Sequence, residues 1–121
     1  MYVDKQNEFA DSQVVTATAI STNVIDLGAT NTLKDIGSGQ SVYLVVQVDA
    51  AATAAGAATV TFTLESDSTE NLATSPTVHV TTTAIGKAAL TAGSTQLVIA
   101  LPSGSYERYL GVRFTVATGP L

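Results

Sequence analysis

The chain has no cysteine and no tryptophan, and it has few charged residues. The absence of cysteine excludes a disulfide scaffold, a zinc site with thiolate ligands and a thiol nucleophile. Charged residues make up 12% of the 121 residues, about half the roughly 25% found in typical soluble domains. Five Lys and Arg stand against ten Asp and Glu, for a net charge of -5. Five cations are too few for the basic surface that phosphate contacts require, so we expect no nucleic-acid partner.

Long apolar runs are missing as well. No window approaches 18 consecutive apolar residues, so we expect no membrane-spanning segment and no membrane partner. The first 13 residues carry Asp4, Lys5, Glu8 and Asp11 and no apolar stretch, which is not the pattern of a signal peptide. We therefore expect the protein to be made and to fold in a cytoplasm.

Small uncharged residues take the place of the missing charges. The chain contains 19 Thr and 18 Ala, and 45% of its residues are hydrophobic. This balance differs from that of disordered chains, which combine low hydrophobicity with high net charge. A chain of this length buries enough surface for one modest core, so we predict a single domain.

Alternation with a period of two dominates the hydrophobic pattern and predicts strands. In residues 59–65, Val60, Phe62 and Leu64 point to one face while three threonines and a glutamate point to the other. Residues 110–117 and 77–81 alternate in the same way. Residues 42–48 are apolar on both faces, which predicts a strand in the middle of a sheet or beneath another element.

Further short strands are expected at residues 13–20, 23–27 and 95–101, separated by Gly, Ser, Asn and Pro clusters such as residues 37–39. Seven or eight short strands at this spacing predict an all-β fold, an antiparallel β-sandwich or small barrel. We assign residues 13–121 to one sandwich domain and residues 1–12 to an N-terminal arm. The alanine-rich residues 50–58 are too short for a stable helix and predict a connection or strand extension.

Residues with chemical potential are few. His79, the only histidine, lies between Val78 and Val80, so we expect it on the partly exposed side of a strand. No G-x-S-x-G turn accompanies it. Residues 65–70 hold three carboxylates without the spacing of a calcium loop, which indicates a solvated turn. We therefore predict no catalytic residue, no metal ligand, no cofactor and no enzymatic activity.

The predicted strands also lack the lysines and other charges with which natural monomers protect sheet edges. Charged residues are depleted from the cores of protein interfaces, so a surface poor in charge is inexpensive to bury. Both observations favour a chain that works inside an assembly.

Six stretches of the sequence resemble the small capsid cement (decoration) proteins of tailed bacteriophages. They occur in order and are spread along nearly the whole chain: MYVD (1–4), EFADSQ (8–13), AISTNVIDLG (19–28), IGSGQSVYL (36–44), FTLESD (62–67) and ERYLGVRF (107–114). The most specific of them are residues 21–28 and the N-terminal arm.

This resemblance implies a jelly-roll-like sandwich of about eight short strands on the outer surface of an icosahedral virion capsid. There it would cement neighbouring subunits of the major capsid protein and stabilise the expanded shell. The resemblance also implies a homo-oligomer, with a homodimer first and a trimer second. An acidic protein fits the outside of the shell, because a protein on the inner surface would face the genome.

We expect the capsid contacts at aromatic and cationic side chains of the arm and of the last predicted turn, namely Tyr2, Phe9, Tyr106, Arg108 and Tyr109. The alternatives are a first strand or a frayed end for the arm, and strand-edge packing with a solvated charge for the turn. The competing function is a carbohydrate-binding or adhesion module, which would require an exposed aromatic platform from only four Tyr and three Phe.

Overall fold

The structure is a computed structural model that describes residues 8–11, 13–26, 34–36, 43–53, 56–102 and 104–118. Ten strands and one short 3-10 turn, Lys87–Ala89, make up its regular structure. The strands are β1 (Ala19–Ile20), β2 (Ile25–Asp26), β3 (Lys34–Ile36), β4 (Tyr43–Gln47), β5 (Thr59–Asp67), β6 (Thr77–Thr81), β7 (Ile85–Gly86), β8 (Thr95–Ala100), β9 (Gly104–Tyr106) and β10 (Tyr109–Ala117).

Every described strand pair is antiparallel. A six-stranded sheet has the order β1-β10-β5-β6, with β2 also paired to β10 and β7 to β5. Two smaller sheets are β3-β9 and β4-β8. The longest pairing joins β5 and β10 over nine residues, from Tyr109 opposite Asp67 to Ala117 opposite Thr59.

The strand pairs are nested along the chain. β2 pairs with β10, β3 with β9, β4 with β8, and β5 with β6 and β7. A long hairpin rolled up on itself gives this pattern, which is the connectivity of a jelly roll. The prediction of an all-β, jelly-roll-like antiparallel sandwich is confirmed.

The core lies between the six-stranded sheet and the two smaller sheets. Val60, Phe62 and Leu64 of β5 face it, as their alternation predicts, and Leu44 of β4 faces it from the other layer. Phe62 lies directly opposite Phe114 of β10, with the ring centroids 5.7 Å apart and the ring planes at 89°. Edge-to-face contacts of this kind add to the stabilisation that comes from burial alone.

Several of the predicted strands are confirmed. Residues 77–81 form β6 as predicted, and β4 and β8 fall within the predicted segments. The first two strands are only two residues each, because Ala19–Ile20 and Ile25–Asp26 are the parts that pair with β10. The described part of residues 50–58 contains no helix, in line with the predicted connection, whereas the turn expected at residues 37–39 lies outside the described residues.

One expectation is wrong: residues 65–70 do not form a solvated turn. β5 continues to Asp67, and the following loop, residues 68–76, folds back over the outer face of the six-stranded sheet. Its Leu72 is fully buried against Gly111 of β10. Two of the three carboxylates, Glu65 and Asp67, are consequently buried, and Glu70 alone is exposed.

Candidate interaction surface

The sheet formed by β4 and β8 has one face in the core and one in solvent. Leu44 is buried and Val46 packs against the core, so the alternate residues Tyr43 and Val45 point outward. Across the ladder, Tyr43 pairs with Ala100 and Val45 with Val98, which places both partners on the same outer face.

This outer face, Tyr43, Val45, Val98 and Ala100, is apolar; Val45 is half-buried and the other three side chains are exposed. Tyr43 is 60% exposed and Val98 is 61% exposed. The prediction that residues 42–48 lie in the middle of a sheet or beneath another element is therefore wrong within the described chain. β4 pairs with β8, and no other described strand pairs with it.

The β4-β8 sheet also lacks charge. Its two strands, YLVVQ and TQLVIA, contain no charged residue. The six-stranded sheet contains Asp26, Glu65, Asp67 and Arg113, and the β3-β9 sheet contains Lys34 and Asp35. The exposed apolar face is thus the part of the described sheets that costs least to remove from water.

Neither of the contact residues predicted in the arm is placed on this outer face by the structure. Tyr2 lies outside the described residues. Phe9 is half-buried and packs against the core, and its carbonyl oxygen accepts a hydrogen bond from the backbone N–H of Asn23 at 2.8 Å. For Phe9 the structure thus favours packing within the domain over a contact that reaches away from it.

The predicted contact residues of the last turn divide into one core residue and two at the surface. Tyr106 is 2% exposed, and its hydroxyl donates to the carbonyl oxygen of Pro102 at 2.7 Å. It therefore has no surface to offer a partner. Arg108 donates from Nε and Nη2 to the two oxygens of Asp26, at 2.9 and 3.0 Å. Its guanidinium also lies 4.8 Å from the centre of the Tyr109 ring.

The hydrogen bonds of Arg108 to Asp26 raise the pKa of the guanidinium above its ordinary value. Arg108 and Tyr109 are half-buried. Their arrangement fastens the start of β10 to β2 and leaves part of each side chain in solvent.

His79 lies in a polar cluster and not on an open strand face. A bulge in the β5-β6 ladder pairs Leu64 with Val80 but Glu65 with Val78, so His79 is the extra residue of β6. The bulge leaves Val78 half exposed and turns His79 inward. Nε2 of His79 lies 2.7 Å from Oγ of Ser66, and its ring stacks on Tyr106 with the centroids 4.1 Å apart.

A hydroxyl hydrogen-bonded to a histidine is the geometry of a nucleophile and its base. Ser66 is fully buried, however, and its Oγ also accepts the backbone N–H of Glu107 at 3.2 Å. Burial lowers the pKa of His79, although the Glu107 carboxylate acts in the opposite direction. In this arrangement the pair joins β5, β6 and the β9–β10 turn, and it does not present a hydroxyl to a substrate.

Comparison with protein families matches residues 9–121 to the model of a family described as Bbp16. The chain belongs to the Bbp16 family. The matched region of this Bbp16 chain includes all ten described strands, the exposed β4-β8 face and the His79 cluster. Among curated proteins, no match was found.

Two further findings concern the described residues. No described helix is long and apolar enough to cross a membrane. Within the same residues, no three His, Asp or Glu side chains come together in an arrangement that could hold a metal ion.

None of the residues on the outer face of the β4-β8 sheet was predicted as a contact residue. The signal for it was present in residues 42–48, which are apolar on both sides. Alternation cannot tell which layer covers a strand, so the sequence did not show that one of these sides stays in solvent.

Proposed function

We propose that this protein is a virion structural protein that decorates the outer surface of an icosahedral phage capsid. In this role it cements neighbouring subunits of the major capsid protein and stabilises the expanded shell. The observation that carries the proposal is the exposed, uncharged apolar face of the β4-β8 sheet. The resemblance of the sequence to capsid cement proteins supplies the partner.

The exposed face is suited to a permanent partner. Burial of apolar surface contributes a favourable free energy of about 25 cal/mol for each Å² removed from water. Tyr43 and Val98 each still expose about 60% of their surface and could bury it against a partner. The chain as a whole is acidic, with a net charge of -5. Acidic character suits a protein bound on the outside of a shell, where it does not meet the packed nucleic acid.

Cementing follows from selective binding. A protein that binds the expanded lattice and not the unexpanded one stabilises the expanded state by mass action. A homodimer that touches two capsid subunits adds effective concentration, so that two modest contacts hold strongly. The mechanism requires a stable scaffold and an uncovered face, and it requires no catalytic group.

A pelleting assay with expanded shells stripped of this protein tests the proposal. The wild-type chain should sediment with the shells at a saturable, fixed ratio to capsid subunits and should raise the shell melting temperature. A folded chain that stays in the supernatant would contradict the capsid role.

Val98→Lys tests the face itself. This substitution places a charge at the centre of the apolar surface, and Val98 is exposed enough for the fold to tolerate a lysine. We expect shell affinity to fall by at least about tenfold, which corresponds to about 1.4 kcal/mol. The matched control is Val78→Lys on β6, where a valine is also about half exposed. Equal loss in both variants, or none in Val98→Lys, would remove the β4-β8 face from the mechanism.

The arm is tested separately. Removal of residues 1–8 retains Phe9, whose side chain packs on the core, and removes Tyr2. If the arm contacts the capsid, shell affinity should fall while the melting temperature of the free protein stays the same. Unchanged affinity in the shortened, folded chain would exclude residues 1–8 of the arm as a contact.

A carbohydrate-binding or adhesion module is the second candidate, and Tyr43 is the observation that favours it. It is the one large aromatic side chain that is mostly exposed among the described residues. A glycan array distinguishes the two functions: binding that Tyr43→Ala abolishes would favour the sugar-binding module.

A further inference from the structure

The His79 cluster joins three parts of the chain through one titratable ring. Ser66 of β5 lies at Nε2, Tyr106 of β9 lies against the ring face, and Glu107 follows in the β9–β10 turn. Glu107 is held from both ends, because its N–H donates to Oγ of Ser66 and its carboxylate accepts the hydroxyl of Thr77 at 2.8 Å. The strand that carries His79 is therefore tied to this turn twice.

We propose that His79 is an acid-sensitive latch that holds β6 against the β9–β10 turn. In the neutral ring, Nε2 can accept the hydroxyl proton of Ser66 while the Ser66 oxygen accepts the N–H of Glu107. In the protonated ring both nitrogens are donors. The Ser66 oxygen then faces two N–H donors, Nε2 of His79 and the backbone N–H of Glu107. Its own proton must turn away from the ring, which is its one acceptor among the described residues.

The groups that face His79 have opposing effects on the pKa of its ring. The Glu107 carboxylate favours the charged ring, and the stacked Tyr106 ring can also accept a cation on its face. The Ser66 hydroxyl and the surrounding apolar core offer no compensating charge. Glu65 and Asp67, the carboxylates that flank Ser66, are engaged elsewhere, by Arg113 and by the donors of the 68–76 loop. The net result is a pKa of His79 below its ordinary value of 6.5.

The direction of the pH effect follows from this lowered pKa. Between the folded and unfolded pKa values, the unfolded chain binds more protons than the folded chain, so acid favours unfolding. The contribution of the latch is complete above about pH 6.5 and declines as the pH falls towards the folded pKa. The unfolding equilibrium shifts by up to about tenfold for each unit by which the folded pKa lies below 6.5.

The single histidine makes a direct experiment possible. In an NMR titration of the wild-type protein, the one set of imidazole signals should titrate below pH 6.5. Exchange protection of the Glu107 and Val80 amides, corrected for the intrinsic rate, should fall across the same midpoint. An imidazole that titrates at 6.5 or above would overturn the proposal.

Two variants separate the latch from general acid sensitivity. His79→Gln cannot be protonated and should keep the protection of the Glu107 amide down to pH 5, whereas a loss parallel to wild type would overturn the proposal. Glu107→Gln removes the charge that favours the protonated ring and should move the His79 midpoint to lower pH. An unchanged or raised midpoint would equally contradict the latch. Neither outcome depends on capsid binding, so the latch and the proposed function stand or fall separately.

Discussion

A Cβ atom placed on Gly111 would lie 2.7 Å from Cδ1 of Leu72, nearer than side-chain atoms approach one another. Leu72 has little freedom to retreat, because it is fully buried and the guanidinium of Arg113 donates to its carbonyl oxygen at 2.6 Å. Its backbone also has a φ of 53°, a left-handed conformation that is costly for leucine. The 68–76 loop therefore packs so closely on β10 that only a glycine at position 111 leaves room for Leu72.

We expect Gly111→Ala to lower the free energy of unfolding by about 1–3 kcal/mol through overpacking. Urea denaturation measures the change. Gly86→Ala is the matched control, since no atom lies within 4 Å of its added methyl group and a change of at most about 0.5 kcal/mol is expected. Equal effects of the two substitutions would show that the loop does not press on β10.

Asp67 is the second residue whose surroundings lead to a measurable expectation. Burial by itself would raise the pKa of Asp67. The backbone N–H groups of Thr74, Ser75 and Ser68 and the hydroxyl of Thr69 outweigh burial, and they hold this pKa below its ordinary value of 3.8. Hydrogen bonds to a carboxylate favour its charged form.

A lowered folded pKa means that Asp67 stabilises the fold above about pH 3.8, and that this stabilisation is lost as the pH falls below that value. Asp67→Asn should destabilise the protein at pH 7 and flatten the loss of stability between pH 4 and 2. Denaturation midpoints at several pH values measure both effects. The exposed Glu70→Gln variant, which removes a charge from the same loop, should retain the acid dependence of wild type.

At the scale of elements, two ion pairs connect different parts of the sheet and differ in their surroundings. Nε of Arg113 on β10 donates to Oε2 of Glu65 on β5 at 2.8 Å, and Glu65 is buried. Arg108 bridges the start of β10 to Asp26 of β2, and the two side chains are 39% and 46% exposed. Removing one partner of a buried pair leaves an uncompensated charge, whereas exposed pairs contribute little.

Arg113→Gln should therefore lower the free energy of unfolding by about 3 kcal/mol or more, and Arg108→Gln by far less. Thermal or urea denaturation of the two variants side by side measures the difference. Comparable losses of unfolding free energy in the two variants would mean that the exposed Arg108–Asp26 pair stabilises the fold as much as the buried Arg113–Glu65 pair does.

A strand can be predicted well from the sequence when its own residues carry the alternation that makes it a strand. In β5 and β10 the apolar residues alternate through residues 59–65 and 110–117, so the sequence predicts their inward faces correctly. The three-residue strands β3 and β9 and the two-residue β7 form only because a distant partner lies beside them, and no local pattern indicates them. The same reason explains His79: the bulge that turns it inward depends on the register with β5, which the sequence of β6 does not contain.

The candidate surface was less predictable than the fold. Tyr2 lies outside the described residues, and Phe9 and Tyr106 join or pack on the core, because apolar side chains near short strands serve the interior as readily as a partner. Arg108 and Tyr109 are partly exposed but bound to neighbours. Tyr43 and Val98 were missed because both faces of their strands are apolar. Which of the two faces stays in solvent depends on how the sheets pack against one another.

At the scale of the whole molecule, the charge-free face predicts how assembly responds to salt. Screening weakens contacts between charged groups and leaves apolar contacts nearly unchanged. If the protein binds capsid shells through this face, as proposed, shell affinity should vary by less than about threefold between roughly 0.05 and 0.5 M NaCl, where the Debye length shortens several-fold. Pelleting at several salt concentrations measures it. A tenfold fall would instead indicate charged contacts, such as the exposed parts of Arg108.

The nesting of the strand pairs has a consequence for biosynthesis. β10 is the partner of β1, β2 and β5 at once, and it is the last of the described strands to leave the ribosome. Until it emerges, the first two strands lack the strand with which they pair among the described residues, and the nine-residue edge of β5 is open to other chains. Pairing over such sequence distances is slow, so most of the fold should form only after synthesis has passed residue 117.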